Sequence, residues 1–132
     1  MVDETVARTS REVFTHFIEA INAHDIDAMV ALMASDHVFI DSLGHRVEGA
    51  AAMQAGWRGY FGMCPDYRIT VRTAIDETGT VLAVGDAGGT IDGTAWRIPG
   101  AWEATVHDGA IAEWRVFADN KPVYDALARR KS

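Results

Sequence analysis

One cysteine, Cys64, is all the sequence carries, so no internal disulfide can form, and the chain fits a reducing compartment. A cytoplasmic location is the expectation. Basic residues are in deficit: 12 Lys and Arg stand against 19 Asp and Glu, for a formal net charge of −7. They are scattered, and no basic stripe exists to follow a phosphate backbone or an anionic bilayer, so neither nucleic acid nor membrane is an expected partner. Apolar runs fall far short of the roughly 20 residues a spanning helix needs. The opening MVDETVARTSREVF carries acids early and has no apolar segment, so no secretory signal is expected. The histidines at positions 16, 24, 37, 45 and 107 are dispersed and lack metal-ligand spacing. No Gly-rich phosphate loop, GxSxG elbow or CxxC pair is present. No metal and no cofactor is therefore expected. Cys64, without motif context, reads as a structural residue.

What is there is an ordinary globular composition. Of 132 residues, 48% are hydrophobic and 23% charged, which excludes disorder. No repeat, low-complexity segment or linker interrupts the chain, and one domain over residues 1–132 is expected. At that length folding buries about two-thirds of the unfolded surface, enough for a core without staples.

Helices come first. Phe14, Phe17, Ile18 and Ile21 recur on one helical face, predicting a helix from about Glu4 to Ala23. Thr9 and Glu12 have capping-box spacing but sit too late to start that pattern, and are discounted as a cap. Asp25 predicts the N-cap of a short second helix carrying Ile26, Met29, Val30 and Met33. A strand is expected over His37–Asp41 and a turn at Gly44. A third helix is expected from about Gly49 to Phe61, stopped by Gly62 and Pro65.

Strands follow. Tyr67, Ile69, Val71, Thr73 and Ile75 alternate with Arg68, Thr70, Arg72, Ala74 and Asp76, predicting one half-buried strand. Thr78-Gly79, Asp92-Gly93 and Asp108-Gly109 mark turns. Gly85, Gly88 and Gly89 suggest bends or bulges within the next strand, and Pro99-Gly100 is expected to break the one after it and bend it. For the last hairpin a three-residue loop, His107-Asp108-Gly109, places Trp102 opposite Trp114. Trp102, Ala104, Val106, Trp114, Val116 and Ala118 then share one face, and Glu103, Thr105, Glu113 and Arg115 the other. Pro122 to Arg130 predicts a closing helix, with Asp119 and Asn120 as caps.

Helices followed by strands define an α+β protein. The expected architecture is a cone: three N-terminal helices packed on a strongly bent mixed or antiparallel sheet, with a pocket between them. At this point the residues carry a resemblance. The stretch from Phe17 through Ala23, His24 and Asp25, with Met29 to Met33, resembles the opening of the nuclear transport factor 2-like superfamily, which includes ketosteroid isomerases, limonene epoxide hydrolases and SnoaL-like polyketide cyclases. Gly56 to Phe61, Pro65 to Arg68, and Asp108 to Asp119 look most like the SnoaL-like branch. The resemblance covers almost the whole chain. It is specific for fold and open on reaction.

In ketosteroid isomerases a strand-end Asp moves the proton, and Asp41 matches it by resemblance. The helix-one Tyr of that family falls on Phe17, and its oxyanion-hole Asp near Trp102. The last-strand acid of the hydrolases and cyclases falls on Val116. The resemblance thus implies a pocket lined by Phe17, Phe39, Trp57, Tyr60, Trp102, Trp114 and Val116, with Asp41 as candidate base and His37 and Asp86 as further candidates. Asp41 reads equally well as the cap of the Ser42-Leu43-Gly44 turn. The two roles differ in sign: a base beside Phe39 and Trp57 has its pKa raised by desolvation, and a turn cap has it lowered. The expected function is binding of a small, largely apolar, carbonyl-containing molecule, with isomerase- or cyclase-type proton transfer. Indole or phenol donors from Trp57, Tyr60 or Trp102 would hold the enolate oxygen. A non-catalytic binding or dimerisation module is the alternative, and a water-activating hydrolase using Asp41 or Asp86 a third. A homodimer is expected through the outer sheet face, taken as a polar and apolar mixture around Arg68, Thr70, Arg72, Thr105, Glu113 and Arg115.

Overall fold

The structure, a computed structural model, describes residues 9–131. Helix α1 spans Ser10–Ala23. It starts at the pair the sequence reading discounts: the Glu12 N–H donates to the Thr9 hydroxyl at 3.1 Å and the Thr9 N–H to the Glu12 carboxylate at 2.8 Å. Those reciprocal bonds satisfy the first free amides and fix the start of the helix at Ser10. The expected start near Glu4 lies outside the described residues. His24 ends α1 with φ 55°, its N–H returned to Ala20 and Ile21. The His24 ring is held in turn, with Nε2 2.8 Å from the Tyr67 carbonyl and its plane stacked on Phe61 at 4.0 Å.

Helix α2 covers Ile26–Ala31, capped by Asp25 as expected, with the Ala28 N–H donating to its carboxylate at 3.1 Å. Strand β1 runs Met33–Ile40, four residues further N-terminal than expected, and an unforeseen short β2 covers Arg46–Glu48. Helix α3 spans Ala50–Met63 and continues through Gly62. A helical glycine costs only about 1 kcal/mol relative to alanine, too little to stop a helix whose Met53, Trp57 and Phe61 are buried. Strands β3 (Arg68–Glu77), β4 (Thr80–Ile91), β5 (Thr94–His107) and β6 (Ala110–Ala118) follow, then helix α4 (Lys121–Lys131). The Lys121 N–H donates to Asp119 at 3.0 Å at the start of the helix, while Asn120, also expected as a cap, turns its side chain to Ser42.

The six strands form one open mixed sheet in the order β2-β1-β6-β5-β4-β3. Only the β1–β6 pairing is parallel. The fold is α+β, with three helices in the first half of the chain and a fourth at its end. All three hairpins of β3–β6 close on two residues, Thr78-Gly79, Asp92-Gly93 and Asp108-Gly109, each with both φ values positive. This is the mirror-image turn whose twist matches the strands it joins.

Two bulges set which side chains face inward. The turn at Asp108-Gly109 has two residues, not three, and His107 pairs with Ala110. A register shift after Val106 then inserts Ala112 as an extra residue, so Trp102 pairs with Val116 and Ala104 with Trp114. The expected Trp102–Trp114 register is therefore wrong, while the inward grouping of Trp102, Ala104, Trp114 and Val116 holds. The bulge restores the parity that a two-residue turn alone would have reversed. In β3 the shift falls between Val71 and Thr73. Arg72 is the extra residue, and it reverses the alternation: Ala74 packs inward and Ile75 is 61% exposed on the outer face. The single alternating pattern expected for β3 ends there.

The expected break at Pro99-Gly100 is absent. The β4–β5 ladder runs unbroken, with Pro99 opposite Asp86 and Gly100 opposite Gly85. Gly85 matters for a different reason: a Cβ there would lie 1.9 Å from the Thr70 carbonyl oxygen, so the bulged β3 backbone rests directly on it. Helix α1 covers part of the inner sheet face, setting Phe14 and Phe17 against Trp114 at 5.6 and 4.8 Å between ring centroids. Gly85→Ala is expected to lower stability by roughly 2 kcal/mol in urea unfolding, because backbone cannot yield as a flexible side chain can. Gly59→Ala, on the exposed side of α3 with nothing within 4 Å of its Cβ, is expected to raise it by up to about 1 kcal/mol.

Candidate functional site

Beyond the reach of α1 the inner sheet face meets α3 and α4 across open space. The cavity there measures about 450 Å³, within the range of small-molecule sites. Its sheet wall is Trp96, Ile98, Trp102, Trp114 and Val116, and its helical wall Met53, Trp57 and Tyr60 of α3 with Val123, Tyr124 and Leu127 of α4. Phe39 of β1 and Tyr67, just before β3, close two further sides. Five rings form a continuous run. Phe39 meets Trp57 at 6.5 Å, Trp57 meets Tyr60 at 6.2 Å, Tyr60 meets Tyr67 edge-on at 4.9 Å, and Tyr67 stacks on Trp96 at 6.0 Å.

Polar groups gather on Asp41, Ser42 and Asn120. The Asn120 amide donates to the Ser42 hydroxyl at 2.6 Å, tying the start of α4 to the turn after β1. Asp41 lies on the cavity wall, and its carboxylate is held by that turn. One oxygen accepts from the Leu43 and His45 N–H groups, both at 2.9 Å, and the other from His45 Nδ1 at 3.0 Å. Partial burial pushes its pKa up, but the bonds from His45, Leu43 and the His45 ring outweigh it and leave the carboxyl below its ordinary value. The raised pKa expected for a desolvated base is not found; the direction is that of a turn cap.

Three other expected site residues lie elsewhere. Phe17 is fully buried in the core against Trp114, and is not on the cavity wall. Asp86 faces the outer side of β4 and pairs with Arg97 at 3.2 Å. The parity of β4, with Val81, Ala83 and Ala87 inward, turns it away from the cavity. His37 is fully buried off the wall, its Nδ1 donating to the Ile111 carbonyl at 2.8 Å. Its Nε2 is sealed without a partner among the described residues, and burial pushes its pKa down despite that bond. Phe39, Trp57, Tyr60, Trp102, Trp114 and Val116 are on the wall. At Val116 the last strand presents a methyl surface to the cavity.

The sequence reading missed Tyr67 and Trp96 as wall residues. Trp96 shares the parity of Trp102 along β5, so carrying the hairpin argument back six residues would have found it. Tyr67 headed the inward set of β3 but precedes the strand itself. Among the described residues no group of three or more His, Cys, Asp or Glu is placed to hold a metal, and no helix is long and apolar enough to cross a membrane.

This arrangement, a mixed sheet half covered by one helix with a cavity under the others, defines a class. The SnoaL-like domain profile matches residues 14–114, and the chain belongs to that family. Solved structures agree on the fold. A candidate SnoaL-like polyketide cyclase from Shewanella denitrificans OS-217 superposes with a TM-score of 0.81 at 15% identity, over 91% of this chain and 97% of that one. A protein with a ketosteroid isomerase-like fold from Catenulispora acidiphila DSM 44928, in complex with trimethylamine, gives 0.80 at 19% identity, over 92% and 95%. An NTF2-like protein from Burkholderia thailandensis E264 gives 0.81 at 22% identity, over 91% and 98%. No curated protein sequence is matched.

The buried His37 has a measurable consequence. Its folded pKa lies below the ordinary 6.5, so the unfolded chain binds the extra proton first as pH falls. The stability it contributes is full above about 6.5 and is lost as pH drops through the folded value. Melting temperature is expected to fall between pH 7 and 5, and His37→Gln, which retains a donor for Ile111, is expected to flatten that slope.

Proposed function

We propose that the protein binds a small, largely apolar, carbonyl-containing molecule in this cavity. The carrying observation is the wall: a run of aromatic rings and aliphatic groups around about 450 Å³, with Asp41 the one charged residue on it among the described residues. Such a wall favours a flat, uncharged body and disfavours an anion. Saturable quenching of tryptophan emission by 2-acetylnaphthalene is the expected signature of binding. Trp57→Ala is expected to weaken that binding by more than about 1 kcal/mol, since the ring meets Phe39, Tyr60 and Phe61 and removing it opens the wall. A wild-type protein that leaves the emission unchanged at saturating probe defeats the proposal.

Isomerase- or cyclase-type proton transfer is the second reading, favoured by the position of Asp41 at the cavity. A carboxylate tied by three donors is a weaker base than a free one, so this reading asks more of Asp41 than binding does. It implies that the protein speeds exchange of the methyl protons of 2-acetylnaphthalene with deuterated water, and that Asp41→Asn removes the effect while binding persists. Wild-type exchange no faster than in buffer would leave a binding module, and equally accelerated exchange in both proteins would move the chemistry off Asp41. The hydrolase reading loses Asp86, which faces away from the cavity.

The same proposal includes a homodimer through the outer face of the sheet. The supporting feature differs from the mixed surface the sequence suggested. Ile75 and Leu82 pair across β3 and β4, and Val84, Ala101 and Phe117 form a row across β4, β5 and β6. Ile75, Leu82, Val84 and Phe117 are all exposed, a contiguous apolar patch flanked by Glu103 and Arg115. A second copy related by a two-fold axis would cover this patch with its own. Light scattering is expected to give twice the mass of one chain, 14.4 kDa, at micromolar concentration, and Leu82→Glu to return the monomer.

A further inference from the structure

We infer that the Tyr67 and Tyr60 hydroxyls form an acceptor-reading subsite in the cavity, so that the bound molecule presents a carbonyl-type oxygen to them. The inference rests on the proposed binding reading and adds the group that is recognised. It starts from an unpaired donor. Tyr67 is 8% exposed and lines the cavity, yet its hydroxyl has no hydrogen-bond partner among the described residues. Nor is that oxygen sealed in protein: the only sealed, unpartnered side-chain polar atoms among the described residues are His37 Nε2 and Trp96 Nε1. The space the Tyr67 hydroxyl reaches is therefore the cavity. Tyr60 repeats the pattern from α3, with its ring edge-on to Tyr67 at 4.9 Å and no partner for its hydroxyl among the described residues.

The rest of the inner wall has the same polarity. Trp57, Trp102 and Trp114 carry indole N–H groups, which can only donate; none is hydrogen-bonded within the described residues and none is sealed. Trp96 is the exception, its N–H sealed within the protein. The acceptors Asp41, Ser42 and Asn120 belong to the turn after β1 and the start of α4, and their strongest bonds are to one another's segments. A donor that opens on an apolar cavity is matched by a ligand oxygen placed against it and mismatched by a ligand carbon. Burial holds both phenols above their ordinary pKa, with Cys64 adding to the rise in each and Tyr67 to that of Tyr60, so they stay protonated and able to donate at neutral pH. These donors come from α3 and the segment before β3. Helix α1 contributes none here, since Phe17 stands packed in the core.

The test uses two probes of one shape: 2-acetylnaphthalene, and 2-isopropenylnaphthalene, in which a CH2 replaces the carbonyl oxygen. Tyr67→Phe is expected to weaken the ketone roughly fivefold and leave the hydrocarbon unchanged or slightly tighter, with Tyr60→Phe acting in the same direction. The carbonyl stretch of the bound ketone is expected at lower wavenumber in wild type than in the double Phe variant. The free Tyr67→Phe protein is expected to melt at or above the wild-type temperature, because the removed hydroxyl had no partner; a structural role would lower it. If the hydrocarbon binds but Tyr67→Phe shifts both probes equally or neither, the subsite is refuted while the binding pocket stands. Failure of both probes to bind wild type refutes the pocket and the subsite together.

Discussion

Trp114 pinned beneath Phe14 and Phe17 is the contact on which the rest of the molecule depends. It fixes where α1 lies on the sheet, and a helix of 14 residues is only about 21 Å long. Strand β5, also 14 residues, extends to about 46 Å. One helix cannot cover such a strand, and the uncovered apolar remainder must be roofed by something else. Helices α3 and α4 provide that roof from outside the helix–sheet contact, and the volume they fail to fill is the cavity. The site is thus a product of a length mismatch, and aromatic rings line it because the same inner face supplies both core and wall.

The electrostatics follow from this origin. A cavity made from uncovered core inherits core composition, so its polar groups are those large aromatics carry, one hydroxyl or one N–H apiece. Charge enters only where the turn after β1 meets α4. There Asp41 spends its lone pairs on Leu43 and His45, organising a loop whose next residue, Ser42, receives Asn120. The carboxylate closes the turn first and faces the ligand space second. His37 tells the same story from the core: the strand position was read, but the ring is anchored to Ile111 instead of the cavity.

The α+β class, the turn positions and most of the aromatic wall were legible because each rests on local signals: helical spacing, Asp-Gly and Thr-Gly pairs, and strand parity. What was not legible is the placement of single extra residues. Nothing in Thr70-Val71-Arg72-Thr73 announces a bulge at Arg72, yet that residue decides whether Ile75 is core or surface. Ala112 is as silent, and there two errors, in turn length and in register, cancelled in parity. Phe17 and Asp86 were misplaced because each has a plausible face in isolation. Only the packing of α1 against Trp114 and the Arg97 ion pair resolves them. Tyr67 was hidden by its place between elements, where periodicity has no purchase.

The three identical hairpin turns carry a consequence for how the molecule assembles. From β3 to β6 every strand pairs with its neighbour in sequence through a two-residue connection, so that meander can zip with little loop entropy to overcome. The parallel pairing of β1 with β6 is of another kind, joining Ile40 to Arg115 across about 75 intervening positions. Closing it requires most of the chain to be in place, and it helps bring Phe39, Asp41 and the turn of Ser42 to the cavity. The meander can therefore exist before the pocket does. The ligand space is completed by this long-range pairing, and it is given up when that pairing opens.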